Sequence, residues 1–96
     1  MMFSHELRTA VVEALKTVPE VQRVNHLEYW SEEIFFVVVD PNSDQAQETA
    51  GTAVDSLLKG LGRPNHSPVR LRFFGADQSL PSSATLFSRH ATAPAF

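Results

Sequence analysis

The sequence predicts an α+β domain: a two-layer sandwich in the order α-β-β-α-β, with a three-stranded mixed sheet and an irregular C-terminal tail. Three observations predict it. Two segments repeat apolar residues at steps of three and four, an unbroken β-branched and aromatic run lies between them, and a shorter alternating run follows the second. The 96 residues suffice for one core, since a chain of this size buries roughly 65% of its unfolded surface. Residues 1–77 are expected to form the domain and 78–96 a tail partly packed on it.

The first helix is expected from Ser4 to Thr17, because Leu7, Ala10, Val11, Ala14, Leu15 and Val18 share one face. Ser4 can cap its start, and Glu6 suits the positive end of the helix dipole. Pro19 stops it by pushing Val18 out of the helical region. Val21 to Trp30, rich in Val, Leu, Tyr and Trp, reads as a first strand despite its untidy alternation. Ser31-Glu32-Glu33 then reads as a hairpin connection. Ile34-Phe35-Phe36-Val37-Val38-Val39 is a strand apolar on both faces, which places it centrally.

Asp40 to Asp44 is turn and cap chemistry, with Asp44 and Gln47 spaced for a capping box. Ala46, Ala50, Ala53, Val54, Leu57, Leu58 and Leu61 predict a second helix, stopped by Gly60 and Gly62. This helix makes a right-handed crossover to the third strand, Val69 to Phe74, where apolar and basic residues alternate. From Gly75 onward no period survives. Ser82 to Arg89 is expected at most as a short helix, and Ala91 to Phe96 as a frayed end.

Composition removes several functions. With no cysteine there are no disulfides, no thiol catalysis and no thiolate zinc site. A net charge of −3 argues against a dedicated nucleic-acid binder. The amino terminus has no basic stretch leading into an apolar run. The longest apolar run, Ile34 to Val39, is far short of the ~20 residues that span a bilayer. A soluble, cytoplasmic chain without membrane contact is the expectation.

No constellation predicts catalysis or a cofactor. Asp40, Asn42 and Asp44 open like a calcium loop, but Gln45 and Gly51 stand where the loop needs Gly and Glu. His5, His26, His66 and His90 lack the spacing of ligands on one helix face, and each is expected at a surface or strand edge. Ser79, Ser82, Ser83 and Ser88 lie near His90 without a nucleophile elbow. Gly60-Leu61-Gly62-Arg63 is too short for a phosphate fingerprint. No metal, no cofactor and no enzyme activity are expected.

Charge is the uneven feature. Residues 1–58 carry ten acids against Arg8, Lys16 and Arg23, whereas residues 59–96 carry Lys59, Arg63, Arg70, Arg72 and Arg89 against Asp77 alone. Arg70 and Arg72 share a strand face. With Arg63 they are the candidate contacts for an acidic protein partner or a small anion. The ordinary alternative is a solvated strand face paired with acids of the first helix. Strand 2 also leaves three apolar side chains on the face away from the helices, whichever set the helices take. Phe35, Val37, Val39 and Phe73 are assigned to that face, to be covered by a second copy or by the tail with Leu80, Leu86 and Phe87. A symmetric homodimer assisted by the tail is expected.

Val12-Glu13-Ala14-Leu15-Lys16, Pro19-Glu20-Val21, the strand ending in Val39-Asp40 and Val69-Arg70-Leu71 resemble the carboxy-terminal domain of the enhanced serine sensitivity protein family. Leu86-Phe87-Ser88-Arg89 matches that family's aromatic-basic finish, and the resemblance implies no catalytic residues. Val24-Asn25-His26-Leu27, the run into Val39-Asp40-Pro41 and the alanine-rich helix are similar to the cytoplasmic dimerisation domain of cation-diffusion-facilitator transporters. That family places metal-binding histidines on the second strand, the second helix and the third strand. Here those regions carry Val37-Val38, Gln47-Glu48 and Arg72. Two functions follow as expectations: a small non-enzymatic interaction module, a homodimer acting as adaptor or regulator, or a small-ligand or anion sensor using the basic loop and third strand.

Overall fold

The computed structural model describes residues 4–61 and 68–89. It contains α1 (Ser4–Lys16), β1 (Val21–Tyr29), β2 (Glu32–Val39), α2 (Asp44–Leu61), β3 (Val69–Gly75) and β4 (Ala84–Ser88). The fold is mixed α+β, with a four-stranded sheet in the order β3-β2-β1-β4. β1 runs antiparallel to both β2 and β4, and β2 runs parallel to β3. The expected three-stranded sheet is corrected by β4, which lies where at most a short helix was predicted. Its sequence, Ala84 to Ser88, has little pattern of its own. It is held as a strand by pairing with β1 from Arg23 to His26.

Core residues follow the helical and strand periods. Leu7, Val11 and Leu15 of α1 join Ala46, Ala50 and Val54 of α2 over Val21, Val24, Phe35, Val37 and Val39. Leu71, Phe73 and Phe87 pack against this cluster. Phe35, Val37, Val39 and Phe73 therefore belong to the helix-facing side. Their assignment to the opposite face is reversed, and Ile34, Phe36 and Val38 take that face by strand alternation.

The caps also shift by a residue. Ser43, not Asp44, is the N-cap of α2: its hydroxyl accepts from the Ala46 amide at 3.1 Å. Gln47 instead donates its side-chain amide to Asn42 at 2.9 Å. At the far end of α1, Arg89 donates to the carbonyls of Lys16 and Val18, both at 3.1 Å, and to Val21 at 2.8 Å. A cation on these orphan carbonyls also complements the helix dipole. Arg89 thus ties the end of β4 to the α1–β1 junction.

Candidate functional site

The hairpin joining β1 to β2 turns in two residues, since Tyr29 pairs with Glu32. The turn is Trp30-Ser31, and Glu32 and Glu33 belong to the strand, where the sequence suggested the connection. Trp30 and Ser31 have φ of 54° and 64°, the left-handed region that a type I′ two-residue hairpin requires at both positions and that Asn-Gly fills best. A bulky aromatic there is a genuine outlier. Trp30 is 82% exposed and Tyr29 58%, with their rings edge to face at 5.9 Å.

Alternation places Leu27 and Tyr29 on the sheet face away from the helices, and Leu27 pairs across to Ile34. Leu27 is 37% exposed and Ile34 half-buried. Beside them Arg70 meets Glu32 through two contacts, Nε to Oε1 at 2.5 Å and Nη2 to Oε2 at 3.2 Å. The hydrogen bond to Arg70 holds the Glu32 carboxyl below its ordinary range. This open half of the outer face is an apolar patch rimmed by one charge of each sign.

The other half is covered by the chain itself. β3 and β4 are opposite edges of the sheet, so residues 76–83 cross from one edge to the other. Asn25, paired with Phe36, donates its side-chain amide to the Ser83 hydroxyl at 3.1 Å. The crossing therefore runs over the face of Phe36 and Val38, which are only 6% and 8% exposed without any helix above them. Arg23 shares that face and donates to Asn25 Oδ1 at 3.1 Å and Thr85 Oγ1 at 3.0 Å.

Behind the hairpin, on the helix side, lies a buried charge cluster. Glu33 follows the parity of Phe35, Val37 and Val39, and its side chain is 1% exposed. Its Oε1 accepts from Arg8 Nε and from His26 Nε2, both at 2.6 Å, and Oε2 accepts from Arg8 Nη2 at 3.4 Å. Arg8 also meets Glu28 at 3.3 Å. Burial pushes the Glu33 carboxyl upward, but the hydrogen bonds from Arg8 and His26 outweigh it and hold the group below its ordinary value. An ionised carboxylate only accepts, so the proton of this bond sits on His26 Nε2. His26, expected at a surface or strand edge, is buried at 7% exposure and stacks obliquely on Phe35 at 5.0 Å. The Glu33 amide donates to the Pro68 carbonyl at 2.8 Å. One residue thus fastens α1, β1 and the entry to β3.

Of the predicted cationic contacts, Arg70 is paired with Glu32 rather than with acids of α1. Arg72 is exposed, with no hydrogen-bond or ion-pair partner among the described residues. Arg63 lies outside the described residues, as do His66 and His90. A shallow groove of about 360 Å³ runs between α1 and β4, lined by Arg8, Val12, Lys16 and Leu86 among others. Its charges are already matched: Lys16 to Glu13 at 3.0 Å and Arg8 to Glu33 and Glu28. Among the described residues, no group of three or more His, Cys, Asp or Glu could hold a metal ion. Nor is any described helix long and apolar enough to cross a membrane.

The sequence reading missed the Glu33–His26–Arg8 cluster. The signal was present, since a carboxylate on the parity of a buried strand face must find cations or donors.

This arrangement of two helices and a mixed sheet is similar in fold to a cation-diffusion-facilitator C-terminal domain. The structure is similar to one described as "MamM CTD - Copper form", with a TM-score of 0.50 and 20% identity, over 82% of this chain and 96% of that chain. The likeness is in fold, and it agrees with the second of the two sequence resemblances rather than the first. No protein-family model matches the chain, and no curated protein matches it.

Proposed function

We propose that this chain is a small non-enzymatic interaction module that works as a homodimer, in the role of adaptor or regulator, and that two copies meet at the hairpin end of the outer sheet face. Trp30 carries the reading. It stands 82% exposed at φ 54°, where Asn or Gly would be more comfortable, and it contributes no burial to its own chain. Backbone strain that the fold does not use suggests a use outside the fold. Tyr29, Leu27 and Ile34 extend the apolar surface. The Glu32–Arg70 pair offers both signs of charge, which suits a self-complementary contact about a two-fold axis. The resemblance to a dimerisation domain supports the same partner.

Substituting Trp30→Asn separates folding from association. Compared at dilutions where both chains are monomeric, the variant is expected to melt higher than the parent, because Asn tolerates the left-handed region. Its solution mass by light scattering should fall from dimer to monomer at micromolar concentration. A variant that keeps the parent's mass would remove the hairpin end from the interface.

A further inference from the structure

The core is sealed unevenly across the sheet. On β2 the helix-side residues Phe35, Val37 and Val39 are fully buried, whereas Val69, Leu71 and Phe73 of β3 are only half-buried. Leu57 and Leu58 of α2 pack against the same cluster and are half-buried too. β3 is an edge of the sheet, and among the described residues no strand lies beyond it. One bond fixes the direction of its main-chain groups. The Glu33 amide donates to the Pro68 carbonyl, so in the parallel ladder the even-numbered residues of β3 turn N–H and C=O toward β2. The odd-numbered residues turn theirs outward. At Gly75 the outward N–H donates to the chain's own Gln78 side chain at 2.6 Å. Beyond it the crossing segment leaves over the sheet toward β4, away from this edge. The open stretch is therefore Val69 to Phe73, with unspent main-chain groups beside a half-buried apolar strip.

From this geometry we infer that the free edge of β3 takes up an extended segment of a partner protein as a further strand, one that alternates apolar residues with an acidic one. Main-chain bonds to Val69, Leu71 and Phe73 supply affinity, and the side chains supply the choice of partner. Residues of the added strand that face the helices extend the apolar floor beside Leu57 and Leu58. Those on the other face stand next to Arg70 and Arg72. Glu32 already holds Arg70. Arg72 is exposed, with no hydrogen-bond or ion-pair partner among the described residues. A residue directly opposite it on an added strand has its Cβ about 5 Å away, close enough for a carboxylate to pair. A second copy fits less well. Two β3 strands paired antiparallel over their full length, Val69 to Gly75, set Arg72 opposite Arg72, and like charges directly opposite are destabilising.

The test titrates the full isotopically labelled chain with a short blocked peptide that alternates valine and threonine around a central glutamate, and with its glutamine counterpart. In the dilute free chain the Leu71 and Phe73 amides should exchange fast, and those of Arg72 and Phe74 slowly. The glutamate peptide at saturation should slow Leu71 and Phe73 about tenfold or more and leave Arg72 and Phe74 as they were. Side-chain docking alone cannot produce that alternation. Arg72→Glu should weaken binding about tenfold, and more at low salt. If that variant fails to fold, Arg72→Gln carries the test with a several-fold loss. Arg70→Gln should leave affinity within about twofold, since that charge is already satisfied. Slow exchange of Leu71 and Phe73 before any peptide is added, peptide binding that spares them, equal binding of the glutamine peptide, or no binding of either overturns the inference. Protection of these amides that rises with chain concentration alone would overturn it in favour of self-pairing. Trp30→Asn should leave peptide binding intact, so loss of the dimer and loss of this edge are read separately.

Discussion

Glu32 and Glu33 are adjacent, and each takes an arginine Nε at nearly the same distance, 2.5 and 2.6 Å. Strand alternation sends them to opposite faces, and that difference decides what each contact contributes. Glu32 meets Arg70 in solvent, where screening and side-chain entropy leave an ion pair little net stabilisation. Glu33 is sealed between the hairpin and α1, with His26 as a further donor. In that setting the pair itself adds little over an apolar replacement, but removing one partner strands the others. Contact distance alone would rank the two pairs equal. Burial makes the inner one a fastening and the outer one a rim.

The largest effect is expected from Glu33→Ala. Breaking a buried pair costs about 3–5 kcal/mol, and the lower end applies because Arg8 can turn toward Glu28. Chemical denaturation should show this as a large drop in midpoint. Amide exchange should rise first in β1 and β2 near the hairpin. A loss under about 1 kcal/mol would mean that the cluster contributes no more than a surface pair.

Acid sharpens the same contrast. Both carboxyls are held below the ordinary glutamate value in the folded chain. A depressed folded pKa gives stability that is complete above the unfolded value, about 4.3, and is lost as pH falls through the folded value. Stability should therefore decline below about pH 4.5 as these groups take up protons. High salt should screen the Glu32 share and leave the Glu33 share. A Glu33→Gln chain should show a visibly shallower decline, measured by urea midpoints at stepped pH. Identical slopes would place the acid sensitivity elsewhere.

How much of this was legible in the sequence depends on whether a residue announces itself by period. Both helices and the third strand did, because Leu7, Val11 and Leu15, or Val69, Leu71 and Phe73, recur at the spacing of their element, whereas the first two strands showed through their β-branched and aromatic content. β4 did not: its five residues satisfy no alternation, and it exists as a strand because β1 has a free edge to pair. Arg89 looked like part of a basic patch until the carbonyls it caps came into view. The sets on β2 were correctly divided, but which set faced the helices was a tertiary fact. Trp30 was visible as a residue and invisible as a site, since its φ comes from the register of a hairpin placed one residue later in the sequence reading.

A smaller effect is expected from Ser43→Ala, which removes the hydroxyl that accepts the Ala46 amide. Losing an N-cap costs about 0.5–2 kcal/mol. Asp44→Ala, one position on, should cost less, since it removes only a dipole contact of about 0.3–1 kcal/mol. The reverse order in thermal melts would return the cap to Asp44.

The smallest change is predicted at the outer pair, and it is the one that isolates the comparison. Glu32→Gln keeps the shape of the side chain and lets its amide oxygen still accept from Arg70. What is lost is one charge in contact with solvent, and the denaturation midpoint should barely move. The equivalent change one residue on, Glu33→Gln, takes the charge from a site where Arg8 and His26 were both arranged around it. The buried donors then face a weaker acceptor with no water to replace it, so the second loss should exceed the first several-fold. Measured at low and high salt, the Glu32 effect should vanish and the Glu33 effect persist. If both fade together, the inner cluster is reached by solvent, and the fastening of α1 to the hairpin must come from its apolar neighbours Leu7, Val11 and Phe35 alone.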